Sequence, residues 1–126
     1  MTDLQRDENT PFRIQVRMEQ IGRDCLFIVT GGEAHIGAVA TAYPEGEGTA
    51  VLLSVVPGHR EDQLAREMAK QACIRLGCTV TVAAGIHIDQ PTKEEIRLAV
   101  ETAHKEMDKK LNQLTSKTAT ETQEYK

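Results

Sequence analysis

The chain of 126 residues has no tryptophan, and its aromatic residues are Phe12, Phe27, Tyr43 and Tyr125 alone. That removes the stacking platforms on which single-stranded nucleic acids are held. It also lacks a basic excess. The formal net charge is −4 and the lysines and arginines are scattered among acids, so no stripe is available to neutralise the phosphates of a duplex. No apolar run approaches the roughly 20 residues of a spanning helix. The first residues are polar and charged, which is not the pattern of a secretory signal. Cys25, Cys73 and Cys78 are odd in number and follow neither a redox nor a metal-binding spacing. The expectation is a soluble cytoplasmic domain whose thiols are buried as small apolar groups. Neither nucleic acid nor membrane is an expected partner.

What is present is ordinary for a globular protein, with 40% hydrophobic and 27% charged residues. The length suits one domain with a real core. Residues 1–11 form a polar N-terminal segment, residues 12–114 are expected to be the single domain, and the polar, aperiodic residues 115–126 a disordered tail.

From Phe12 to Met18 apolar and polar residues alternate, the period of a half-buried strand. A turn at Ile21–Asp24 leads to a second strand, Cys25 to Val29. Ile36 to Tyr43 and Ala50 to Val56 make two more, separated by the breaker-rich loop Pro44–Gly48. A helix is expected from about His59 to Leu76, with Leu64, Ala65, Met68, Ala69, Ala72 and Leu76 on one face and Gly77 as its left-handed cap. Thr79 to Ala83 is a β-branched fifth strand. Thr92 with Glu95 makes a capping box, and Pro91 with Ile96 a staple, for a second helix. Its stripe runs through Ile96, Val100, Ala103, Met107, Leu111 and Leu114. The order β-β-β-β-α-β-α predicts an α+β fold, a two-layer α/β sandwich in which a mixed five-stranded sheet carries both helices on one face. Strands four and five flank a helix, so a right-handed parallel crossover is expected between them.

Three histidines stand in three glycine-bearing segments: Thr30-Gly31-Gly32-Glu33-Ala34-His35-Ile36-Gly37, Pro57-Gly58-His59-Arg60-Glu61-Asp62, and Ala84-Gly85-Ile86-His87-Ile88-Asp89. If the strands alternate in direction as the turns require, all three segments fall at one end of the sheet, with both helix N-termini. Glycine lets backbone approach a ligand closely, imidazoles bond or titrate near neutral pH, and helix N-termini favour anions. The expected site is a shallow, glycine-walled pocket with imidazoles and Arg60 converging. Each motif also has a plainer explanation. Gly31-Gly32 suits a hairpin turn, Pro57-Gly58-His59 a loop leading into a helix, and His87 with Asp89 a solvated pair. Gly37, placed inside a strand, points instead to a bulge or a close backbone approach. Three neutral imidazoles, His35, His59 and His87, are also the donor set of a small metal-dependent enzyme, although no His-x-His or His-x-x-x-His pair supports it.

The three segments, with Thr92-Lys93-Glu94-Glu95-Ile96 after the last, resemble the LpdD-like prenylated-flavin chaperones, the small D subunits associated with gallate and vanillate-type decarboxylases. The resemblance covers roughly residues 12–110. It implies a non-catalytic protein that binds reduced prenylated FMN made by a flavin prenyltransferase, or else FMN itself. It further implies delivery to the large subunit of a UbiD-like decarboxylase, with no metal. Carried onto this sequence, the flavin site would draw on Gly31, Gly32, Glu33, His35, Gly37, Pro57, Gly58, His59, Arg60, Gly85, His87 and Asp89. Arg60 and a helix N-terminus would hold the phosphate, with Ile36, Ile86 and Ile88 as apolar contacts. A homodimer is expected, with Arg23 from the neighbour at the interface.

Overall fold

The computed structural model describes residues 13–58 and 60–124, with side chains as far as residue 115. The elements are β1 (Ile14–Ile21), β2 (Asp24–Gly32), β3 (Ala38–Glu45), β4 (Gly48–Val55), α1 (Asp62–Leu76), β5 (Val80–His87) and α2 (Lys93–Glu124). The order is the expected one. The strands form a single mixed sheet, β1-β2-β5-β3-β4. Both helices lie on one face of it: α1 packs on β3, β4 and β5, and α2 on β1 and α1. This is the α+β two-layer arrangement that the order of elements predicts.

Alternation explains which face they cover. Cys25, Phe27 and Val29 of β2, Val80, Val82 and Ala84 of β5, and Ala38, Ala40 and Ala42 of β3 are all buried beneath the helices. The β3 alanines meet a helix that also presents alanines, Ala65, Ala69 and Ala72, so sheet and α1 come close. Phe27, Met68, Met107 and Leu111 fill the remaining volume, each burial contributing about 1.5–3 kcal/mol. Gly77 closes α1 at φ 68°, its N–H donating to the Cys73 carbonyl at 2.8 Å. The other sheet face carries no helix, and Leu26, Ile28, Val39 and Tyr43 stand partly exposed there.

Several boundaries differ from the sequence reading, for identifiable reasons. Gly31-Gly32 is not a hairpin turn. β5 lies between β2 and β3, and both glycines continue the parallel ladder, opposite Ile86 and His87. Gly37 precedes β3 rather than lying inside it, and α1 begins at Asp62 rather than His59. β5 runs on to His87, because β2 offers partners that far, so the third glycine segment is strand rather than turn. The β4–α1–β5 crossover does return a strand of the same direction, since β3 is antiparallel to both, but the two strands are not neighbours. α2 continues to Glu124, past the end of its apolar stripe and across the segment expected to be a tail. Side chains from 116 on, and residues 1–12, lie outside the described residues. No helix among the described residues is long and apolar enough to cross a membrane.

Candidate functional site

The ends of β2, β4 and β5 and the start of β3 fall at one end of the sheet. The connection of residues 33–37 crosses that end over β5. It is pinned by the Glu33 N–H donating to the His87 carbonyl at 3.0 Å and the Gly37 N–H donating to the Ala84 carbonyl at 2.9 Å. Glycine is needed for this crossing. A Cβ on Gly85 would overlap the His35 carbonyl oxygen, and one on Gly32, at φ 61°, the His87 carbonyl oxygen.

His35, carried by this connection, has an acceptor near each ring nitrogen. Nδ1 is 3.3 Å from the Glu33 carbonyl oxygen, and Nε2 is 2.9 Å from Oε2 of Glu61. Glu61 immediately precedes α1 and turns its side chain inward, leaving it 11% exposed. Its Oε2 also accepts the Ile86 N–H at 3.1 Å, and Oε1 accepts the Arg60 N–H at 3.0 Å. One carboxylate thus joins the 33–37 connection, β5 and the start of α1. Gly37 makes room for it, since a Cβ there would overlap the carboxylate. The His87 ring meets His35 edge to face, 6.0 Å between centroids at 84°.

Beside this cluster a cavity of about 540 Å³ opens between the start of α1 and the first turns of α2, within the size range of small-molecule sites. Its polar lining is His35, Arg60, Glu61 and His87. The rest is mostly apolar: Leu64 from α1, Ile86 and Ile88 at the end of β5, and Pro91, Ile96, Ala99 and Val100 from α2. The α2 stripe therefore divides in two. Ala103, Met107 and Leu111 are buried, whereas Ile96 and Val100 are 47% and 38% exposed and face the cavity. The capping box holds this helix start in place, the Glu95 N–H donating to Thr92 Oγ1 at 3.0 Å and the Thr92 N–H to Glu95 Oε1 at 2.9 Å.

Of the residues expected at the site, His35, Gly58, Arg60 and His87 line the cavity. Gly58 follows Pro57 in a turn at φ 85°. Gly31 is buried against Ile14 and Ile86, and Gly32, Gly37 and Gly85 serve the packing of the 33–37 connection, so the cavity is walled by aliphatic side chains rather than by glycine. Glu33 and Asp89 are exposed and do not line the cavity, and Ile36 points to solvent at 62% exposure. His59 lies outside the described residues. Arg23 sits in the β1–β2 turn, at the far end of the sheet. The sequence reading missed Glu61 as a site residue, since Glu61 and Asp62 together suggested only favourable charge at a helix start. It also missed the α2 wall, because periodicity marks a position as apolar without saying whether core or cavity faces it.

The arrangement can take an amphipathic ligand: an aliphatic wall for a hydrophobic body, and two imidazoles with a guanidinium for polar and anionic edges. Among the described residues no three His, Cys, Asp or Glu side chains are placed to hold a metal ion.

Residues 8–115 match the family model described as the prenylated flavin chaperone LpdD-like domain. Protein LpdD of Lactiplantibacillus plantarum is 34% identical over 95 residues, covering 73% of this chain and 70% of that protein. On both counts, the chain belongs to the LpdD-like prenylated flavin chaperone family.

Proposed function

We propose that this protein binds reduced prenylated FMN, protects it, and passes it to a UbiD-like hydroxyarylic acid decarboxylase without catalysing the decarboxylation itself. The observation that carries this reading is the two-sided cavity, aliphatic on the α2 side and polar at His35, His87 and Arg60. The prenyl-derived ring is apolar and suits Ile96 and Val100, while the flavin phosphate suits Arg60. The imidazoles of His35 and His87 suit the polar edge of the ring system. Among the described residues no phenylalanine or tyrosine lines the cavity, and a ligand held with little ring stacking is more readily released to a client. FMN is the weaker ligand on this account, because it leaves the aliphatic wall uncovered. A flavin prenyltransferase is the supplier, the decarboxylase the recipient, and the protein works as a cytoplasmic homodimer.

Transfer is tested by adding limiting reduced prenylated FMN to an apo UbiD-like decarboxylase under anaerobic conditions, with and without this protein, and exposing the mixture briefly to air before assay. More active enzyme is expected with the protein present. Equal activation in both arms would exclude protection and delivery.

A further inference from the structure

The two imidazoles at the cavity are not equivalent. His35 is committed to the protein: Nδ1 lies 3.3 Å from the Glu33 carbonyl oxygen and Nε2 lies 2.9 Å from Glu61 Oε2. Its backbone is held as well, since its carbonyl oxygen packs directly against Gly85. Glu61 is equally committed, with the Arg60 and Ile86 N–H groups on its two oxygens besides His35. His87 differs. Its main chain is fixed opposite Gly32 in the β2 ladder and by the Glu33 N–H on its carbonyl. Yet among the described residues no protein group bonds its ring nitrogens. The same is true of the Arg60 guanidinium. The His87 ring is nevertheless held in place, because His35 meets it edge to face at 6.0 Å and 84°, one of the favoured arrangements of ring pairs.

We infer that His87 is the imidazole that hydrogen-bonds the ligand, and that His35 and Glu61 are positioning residues that set its ring. Both imidazoles face the ligand, but only His87 has nitrogens to offer it. This division of roles rests on the flavin reading and assigns the specificity within it. The two open groups define what the ligand must bring. A guanidinium only donates, so Arg60 requires an anion or another acceptor, whereas a neutral imidazole donates through one nitrogen and accepts through the other. His87 therefore suits an edge that carries both kinds of group, and the pyrimidine edge of a flavin has carbonyls with an N–H between them. A ligand with a phosphate at one end and such an edge elsewhere satisfies both. One that leaves either group unmet gives up affinity, because desolvation of that group is then uncompensated.

The test is the heteronuclear NMR spectrum of the histidine ring nitrogens in the full chain, recorded anaerobically before and after saturation with reduced prenylated FMN. Calorimetric titration gives the affinity of the wild type and of His87→Ala in parallel. The shift of a ring nitrogen follows its hydrogen bonding and protonation, so a histidine that only supports the fold does not respond to the ligand. The His87 nitrogens should shift on binding while those of His35 stay in place. His87 is exposed at the end of β5, so His87→Ala should keep the wild-type melt and weaken binding about tenfold, the loss of one hydrogen bond. The spectrum is taken on the wild type, so the test stands even if the variant folds poorly. Binding that moves the His35 nitrogens, binding that leaves those of His87 unmoved, or a folded His87→Ala with wild-type affinity would each overturn the assignment and leave the flavin reading in place. A wild type that does not bind the flavin at all would remove both.

Discussion

Replacing Glu61 tests the site's construction most sharply, because one carboxylate holds three segments together. In Glu61→Ala the Ile86 N–H, which is part-buried, loses its acceptor, and His35 Nε2 loses a carboxylate 2.9 Å away. A hydrogen bond to a charged group contributes about 1.5–3 kcal/mol, and the side chain is only 11% exposed, so solvent screening discounts it little. The Ile86 contact is a hydrogen bond and the His35 contact an ion pair; about 2 kcal/mol for the first and about 1 kcal/mol for the second give a loss of about 3 kcal/mol. A domain of this size has roughly 5–15 kcal/mol to lose, so the variant folds. At about 4 °C per kcal/mol, its Tm should fall by roughly 12 °C. Glu61→Gln keeps an acceptor for the Ile86 N–H and gives up the charge beside His35, so about half of the loss should return. Urea denaturation measures both variants, with an unchanged slope showing that the unfolded state has not altered. Loosening the 33–37 connection should also weaken flavin binding, because His35 moves with it. A Glu61→Ala midpoint within about 0.5 kcal/mol of wild type would show that the carboxylate does not hold these segments.

Four further outcomes are expected. Arg60→Ala should weaken binding of the phosphorylated flavin about tenfold and leave a dephosphorylated flavin nearly unaffected; equal losses in calorimetric titration would remove the phosphate role. Val100→Asp should weaken prenylated FMN more than plain FMN, since it places a charge on the aliphatic wall; the same factor for both ligands would mean the prenyl-derived ring lies elsewhere. Gly85→Ala drives a Cβ into the His35 carbonyl oxygen and should cost about 1–3 kcal/mol through backbone displacement; a melt identical to wild type would contradict that contact. Burial, with Cys25 and Asp24 close by, pushes the Cys78 thiol up from its ordinary 9.0 to about 11. Between those values the folded chain keeps a proton that the unfolded chain has lost, so this contribution is complete below pH 9.0 and lost as pH rises through about 11. Stability should fall across that window, less steeply in Cys78→Ser; equal slopes for the two proteins would refute the assignment.

Much of the fold was legible because its signals are local and redundant. Alternation at Cys25, Phe27 and Val29, the four-residue spacing of Leu64, Met68 and Ala72, the Gly77 cap and the Thr92–Glu95 box are each local signals of one element. The insertion of β5 between β2 and β3 was not legible, since a strand's neighbours depend on pairings distant in sequence, and Gly31-Gly32 imitates a hairpin turn. Convergence at one sheet end survived this error, because it depends only on strand directions, which are the same in both topologies. At the site, His35, His87 and Arg60 announced themselves by residue type. Glu61 did not, because a glutamate before a helix is commonplace, and its role appears only when β5 places the Ile86 N–H beneath it. Ile96 and Val100 were hidden for the opposite reason. They continue a stripe whose later members, Ala103 and Met107, are true core.

The central claim is that this cavity retains a prenylated flavin. Native mass spectrometry of the purified chain, mixed anaerobically with reduced prenylated FMN and analysed in parallel for metals, tests it directly. One flavin per subunit without stoichiometric metal is the expected result. No retained flavin, with one zinc ion per chain, would contradict the account and return His35, His59 and His87 to the reading of a metal site.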